Sequence, residues 1–145
     1  MVHTTEIRVR FGELDPYRHV NHAVYVMWME AARTVALEDI DLGLGDLQDM
    51  GYQIVVTDIA VRFRRPAVAG DTVTVETEVA EIRRASSRWV QRIMRGDELL
   101  VSGEIRAGIC DETGRPTRPP AGLMEKMSRL DAGYGSGSVS GPVGQ

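Results

Sequence analysis

The 145-residue chain predicts an α+β fold in which an antiparallel sheet of about five strands wraps around one long helix. Three observations predict it. A three- and four-residue apolar period is sustained in one long stretch, from His22 to about Asp39. Period-two alternation marks one segment before that stretch and four after it. Short turn signals rich in Gly, Asp and Pro separate the later segments, as hairpins require.

The elements follow in order. Residues 6–11, "EIRVRF", alternate apolar and charged as a half-buried strand does, and the strand ends near Gly12. In the helix, Val24, Tyr25, Trp28, Met29, Ala32, Val35 and Ala36 form the apolar side, and Glu30, Arg33 and Glu38 mostly face elsewhere. "DLGLGDLQDMG" is a connector with a short helical turn closed by Gly51. "YQIVVTDIAVRFRRP" is the second strand, with Val55, Thr57, Ile59, Val61 and Phe63 on one face, Asp58, Arg62 and Arg64 on the other, and a stop at Pro66. After the "AVAGD" turn, "TVTVETEVAEI" is the third strand and the antiparallel neighbour of the second, with Val73, Val75 and Val79 inward. "SSRWVQRIMR" and "ELLVSGEIRAGICDETGRP" supply the last two strands, joined at Gly96 and Asp97. Residues 1–130 form one domain, and 131–145, "DAGYGSGSVSGPVGQ", are too rich in Gly and Ser to pack a core and form a disordered tail. The edge strands of such a sheet stay open to pair with a second copy.

Composition excludes several classes. Hydrophobic residues at 43% and charged residues at 26% suit a soluble globular domain. A net charge of −4 opposes general nucleic-acid binding, which needs a basic face. The apolar runs are far shorter than the roughly 20 residues that span a bilayer, and the N-terminus lacks the apolar core of a signal peptide, so no membrane role and a cytoplasmic location are expected. Cys110 is the only cysteine, which rules out an intrachain disulfide. Lys126 is the only lysine, and the arginines gather as Arg62, Arg64 and Arg65, then Arg83, Arg84 and Arg88. Guanidinium forks match phosphate oxygens, although a single Arg on a strand is ordinarily a solvated surface residue.

The chemistry concentrates in residues 11–33, "FGELDPYRHVNHAVYVMWMEAAR". A helix beginning near His22 aims its unpaired backbone N–H groups and positive dipole end at the preceding loop, where an oxyanion can sit. Asp15, seven residues before His22, can fold beside those donors. A carboxylate and helix-end donors are the minimal equipment for attack on a carbonyl. Each residue also has an ordinary structural role: Asp-Pro forms turns and Asn21 suits an N-cap. His19 and His22 with Asp15 lack the spacing of a metal site, no cofactor motif is present, and Ser86, Ser87 and Cys110 have no neighbouring base.

These residues carry a resemblance. The segment from Phe11 to Arg33, followed by "VRFRRPAVAGDTVTVETEV", is similar to the hotdog-fold acyl-CoA thioesterases of the 4-hydroxybenzoyl-CoA thioesterase family, and the resemblance runs from about Glu6 to Ile109. It implies a helix wrapped by an antiparallel sheet, a homodimer with a continuous sheet, assembly to a tetramer, and active sites at the dimer interface. It implies Asp15 as the catalytic carboxylate, the His22 backbone N–H as the group that polarises the thioester carbonyl, and Tyr25 in the substrate-binding helix. The family's CoA-phosphate arginines match Arg83 and Arg84 in "EIRRASS", with Ser86 and Arg88 as helpers. Many relatives carry Gly where this chain has Arg18. Glu30 and Arg33 match the family helix as an i, i+3 ion pair; in a second hotdog class the catalytic carboxylate sits on the helix, which makes Glu30 the residue to suspect if Asp15 proves silent. The resemblance implies hydrolysis of an acyl thioester, acyl-CoA above all. Release of an acyl or polyketide chain from acyl carrier protein, docked by Arg62, Arg64 and Arg65, is the alternative on the same fold. A dehydratase would need a different motif, and a non-catalytic acyl-CoA-binding module gains nothing from Asp15.

Overall fold

The computed structural model describes residues 2–130, so the expected tail at 131–145 lies outside the described residues. The element order is β1 (His3–Arg8), a 3-10 turn (Phe11–Glu13), α1 (His22–Asp39), α2 (Leu44–Asp49), β2 (Tyr52–Phe63), β3 (Thr72–Ile82), β4 (Ser86–Arg95), β5 (Glu98–Asp111), α3 (Leu123–Met127) and a closing 3-10 turn (Ser128–Leu130). The five strands form one sheet of order β1-β3-β4-β5-β2, every neighbouring pair antiparallel. The concave face of this sheet holds α1. Tyr25, Trp28, Met29, Ala32, Ala36 and Leu37 of the helix meet Val73, Val75, Val79, Trp89, Ile93, Val101 and Ile105 of the strands in one buried cluster. Fully burying side chains of this size contributes roughly 1.5–3 kcal/mol each. No helix among the described residues is long and apolar enough to cross a membrane.

The helix and strands β3, β4 and β5 fall where the periodicities place them, and five features differ. The second and third strands are not neighbours: β2 pairs with β5, and β3 lies between β1 and β4. The link from residue 64 to 71 contains Pro66 and carries the chain across the end of the sheet, whereas the tight turns at 83–85 and at Gly96–Asp97 close true hairpins. Within β2 a bulge between Val56 and Asp58 shifts the alternation by one residue. Before the bulge Ile54 therefore packs on the core and Val55 does not; after it Val61 does. Strand β1 occupies His3–Arg8 rather than 6–11, because the Glu13 carboxylate accepts from the Arg10 N–H (2.7 Å) and folds Phe11–Glu13 into a turn. Helix α3 is an addition; Leu123, Met127 and Leu130, spaced four and three apart, are its buried side and its overlooked signal.

The fifth difference concerns Arg33, which faces inward and is buried. Its Nη1 donates to Gln91 Oε1 (2.9 Å), and Gln91 Nε2 donates to the Met29 carbonyl (2.9 Å) and to Thr77 Oγ1 (3.0 Å). The i, i+3 ion pair with Glu30 does not close, although Glu30 still favours the Arg33 cation from a distance while burial lowers its pKa. One amide on β4 thus ties the middle of the helix to two strands. Helix and sheet pack closely here: a Cβ on Gly103 would stand 2.7 Å from Met29 Sδ, so any larger residue would have to displace the end of the Met29 side chain. Gln91→Leu keeps the side-chain volume but leaves the Arg33 guanidinium, the Met29 carbonyl and the Thr77 hydroxyl without their buried partner. It is expected to lower unfolding stability by about 3 kcal/mol in a urea titration; a loss below about 1 kcal/mol would show that the network contributes little.

Candidate active site

Residues 14–20 form a narrow loop closed by bridges between Leu14 and Val20 and between His19 and Val68. Asp15 is its organising residue. Its backbone N–H donates to the His19 carbonyl (2.7 Å) and its carbonyl accepts from the Arg18 N–H (2.9 Å). Its side-chain Oδ1 accepts from the Tyr17 N–H (2.8 Å) and the His19 N–H (3.0 Å). One carboxylate oxygen is therefore fixed by two backbone donors, and the described structure gives Oδ2 no hydrogen bond. The turn places Arg18 at φ 64°, in the left-handed region that favours glycine.

Helix α1 begins immediately after the loop. Asn21 is its N-cap, with Oδ1 accepting from the Ala23 N–H (2.9 Å) and its carbonyl accepting from the Val24 N–H (2.9 Å). Asn21's own N–H donates to the Glu13 carbonyl (2.9 Å). The cap thus consumes the donors around it and leaves the His22 N–H without an acceptor among the described residues, at the positive end of an 18-residue helix.

Loop, helix start and the end of β2 enclose a cleft of about 410 Å³, lined by Asp15, Tyr17, His19, Val20, His22, Tyr25, Phe63, Arg64, Arg65 and Pro66. Phe63 forms its wall: its ring meets the His22 imidazole edge-on (centroids 4.9 Å apart) and lies 5.6 Å from the Tyr25 ring. The buried Tyr25 Oη accepts from the Ala67 N–H (2.9 Å), and the Ala67 carbonyl accepts from the Val20 N–H (2.9 Å), so the helix, the 64–71 link and the Asp15 loop are bolted together. Burial raises the Tyr25 pKa, with the Asp15 and Asp71 charges adding to it against the Ala67 N–H and Arg95, so the phenol keeps its proton. Glu13 braces the loop from the other side by accepting from Trp28 Nε1 (3.0 Å) and from Arg10.

Of the residues singled out in the sequence, Asp15, His22 and Tyr25 come together in this cleft. Arg83, Arg84 and Ser86 line a narrow crevice between the β3–β4 turn, β5 and α3, separate from the cleft within one chain. Arg83 is held by Glu81 (2.9 Å), and Arg88 lies between Glu81 (3.6 Å) and Glu104 (3.7 Å). Glu30 is exposed on α1 outside the cleft lining. Phe63, Arg64 and Pro66 are also cleft residues; the strand reading puts Phe63 on the apolar face, Arg64 on the opposite face and Pro66 at the strand's stop. The arginine cluster marks Arg64 as a candidate anion contact, but nothing local places it or Phe63 and Pro66 in the cleft, because that depends on β2 ending beside the start of α1.

Comparison with known proteins identifies the family and the fold. Residues 9–127 match the thioesterase-like superfamily. The chain is 35% identical over 129 residues to the long-chain acyl-CoA thioesterase FadM of Escherichia coli, covering 87% of this chain and 97% of that one. It is 34% identical over 76 residues to YneP of Bacillus subtilis, covering 52% of this chain and 55% of that protein. Among solved structures, the hypothetical protein TT1821 of Thermus thermophilus superposes with a TM-score of 0.83 at 31% identity, covering 88% of this chain and 98% of that chain.

The brace on the loop predicts a pH effect. Burial pushes the Glu13 carboxyl up, but the hydrogen bonds from the Arg10 N–H, Trp28 Nε1 and the Arg10 guanidinium outweigh it and hold the carboxyl below its ordinary 4.5. The stability it contributes is complete above that value and is lost as pH falls through the lowered one. The difference in thermal midpoint between the intact protein and Glu13→Gln should therefore be largest near neutrality and shrink below pH 4.5; a constant difference would exclude the carboxylate as its source. With the helix start, the pinned carboxylate and the five-stranded sheet in place, the chain belongs to the thioesterase-like superfamily and is a thioester hydrolase of the hotdog fold.

Proposed function

We propose that the protein hydrolyses acyl-CoA thioesters to the free acid and CoA in the cleft between Asp15 and the start of α1. The observation that carries this reading is the pairing of one pinned and one unengaged oxygen on Asp15 with an N–H at His22 that has no acceptor. The thioester carbonyl oxygen accepts from the His22 N–H, and the helix dipole stabilises the negative charge that develops there. Asp15 Oδ2 then acts in one of two ways. It attacks the carbonyl carbon, expels the thiolate and leaves a mixed anhydride that water cleaves, or it takes a proton from a water that attacks directly. Both routes deliver the same acid and thiol. The similarity to the long-chain acyl-CoA thioesterase FadM supports acyl-CoA as the substrate class.

The dimer completes the reading. β2 is an edge strand, and Val55, Val56, Ile59 and Phe63 along it are 38–46% exposed, an apolar row that a solitary edge strand rarely keeps. Antiparallel pairing of β2 with its copy would run one sheet through both molecules. It would also set the Ile54 end of the second copy, with its Arg83 and Arg84 crevice, beside the Phe63 end and the cleft of the first.

Asp15→Asn tests the chemistry, because asparagine keeps an oxygen to accept from Tyr17 and His19 while losing the charge. Thiol release from acyl-CoA should fall by more than about 100-fold in the folded variant; near-normal turnover would remove Asp15 from the mechanism and turn attention to Glu30. Ile59→Lys tests the interface. Facing lysines across the paired strands should yield monomers in sedimentation and abolish most activity, whereas an active monomer would contradict a shared site.

A further inference from the structure

We infer that Arg64 is the phosphate-recognition residue of the cleft, binding the phosphorylated thiol carrier of the substrate. The inference rests on the thioesterase reading and goes beyond it, since the resemblance directs phosphate binding to Arg83, Arg84, Ser86 and Arg88.

Charge pairing and position together single out Arg64. Arg65 is paired with Glu98 (3.2 Å), Arg95 with Asp71 (2.6 Å) and Glu98 (2.8 Å), and Arg92 with Glu76 and Glu78 (2.8 Å each). Arg83 and Arg88 are held by Glu81 and Glu104, and Arg62 has interactions of its own. Arg64, like Arg18 and Arg84, has no carboxylate partner among the described residues; unlike them, it lines the same cleft as Asp15, His22 and Tyr25. Its backbone is fixed, because its N–H (2.8 Å) and that of Arg65 (3.1 Å) both donate to the Leu100 carbonyl. The cleft lining contains one carboxylate, Asp15, and half of that is committed to the loop. An uncompensated guanidinium therefore stands in a reaction cleft on a protein whose net charge is −4.

Position decides which anion it meets. Arg64 follows Phe63, the wall that touches His22 and Tyr25, so it stands one residue beyond the reacting end and is exposed in the single chain, at the rim that the paired copy would adjoin. A thioester whose carbonyl rests on the His22 N–H keeps its large thiol carrier on the solvent side. The carrier's phosphates are then the anionic groups within reach of an exposed guanidinium at the rim, and the guanidinium fork suits phosphate oxygens. CoA and the phosphopantetheine arm of a carrier protein share this chemistry.

The test separates this assignment from the hydrolysis it rests on by reading binding. Titration calorimetry would compare CoA, and pantetheine as the phosphate-free counterpart, on the intact protein, on Arg64→Gln and on Arg64→Lys. The expected result is a CoA affinity about 10–100-fold weaker in Arg64→Gln, partly recovered in Arg64→Lys, with pantetheine affinity the same in all three. Equal CoA affinity in intact protein and Arg64→Gln would overturn the assignment, as would an equal loss for CoA and pantetheine. Turnover of acyl-CoA beside a carboxylated acyl-CoA adds a second reading: a KM increase in Arg64→Gln confined to the carboxylated acyl group would assign the arginine to the acyl half and overturn it too. Absence of thiol release with the CoA binding pattern intact would count against hydrolysis and still support Arg64. Arms with acyl-CoA and acyl carrier protein of the same chain length identify which phosphorylated carrier is preferred.

Discussion

Two backbone N–H groups, those of Tyr17 and His19, converge on one oxygen of Asp15, and the rest of the site depends on that convergence. A short loop ending at a helix has to satisfy its own amides, and here a carboxylate performs the task that a solvent molecule or a neighbouring carbonyl would otherwise perform. Because only one oxygen is used, the residue that builds the loop is also equipped to react. The geometry is rigid at the cost of a left-handed Arg18, a local strain on the order of 1 kcal/mol that the surrounding hydrogen bonds hold in place.

The donor side follows the same economy of groups. Asn21 satisfies the Ala23 and Val24 amides, and Glu13 accepts the Asn21 amide through its carbonyl, which isolates the His22 N–H. What fixes the helix start relative to the sheet is a second set of contacts: Tyr25 Oη on the Ala67 N–H, Phe63 against His22, and, deeper, Gln91 joining Arg33 and Met29 to β3 and β4. Carboxylate and amide belong to one continuous segment, and the sheet supplies the wall and the cation opposite them. Asp15 and the His22 amide therefore belong with α1, and the proposed recognition of the carrier falls to the end of β2.

Much of this was legible in the sequence, and the parts that were not share one cause. The helix from His22 to Asp39 and strands β3 to β5 follow from local periodicity, because each buries one side against a single partner surface. The Asp15–His22 spacing places both groups at a helix entrance whatever the rest of the chain does. Strand order escaped, since sequence adjacency favours a β2–β3 hairpin that the Pro66 link does not make. The inward Arg33 escaped because its partner, Gln91, is a neutral side chain far along the chain. The β2 bulge and the cleft roles of Phe63 and Arg64 escaped because nothing near them in sequence reports on the helix start they approach.

A crystal structure with an acyl-CoA analogue, in which a methylene between sulfur and carbonyl replaces the scissile bond, tests the central claim most directly. The ketone oxygen should lie 2.7–3.1 Å from the His22 nitrogen, about the span of an oxyanion-hole hydrogen bond. The Asp15 Oδ2 should face the carbonyl carbon at about 3–3.5 Å, or hold one water between them. A carbonyl oxygen bound elsewhere, with Asp15 remote from the carbon and Glu30 beside it, would contradict the account.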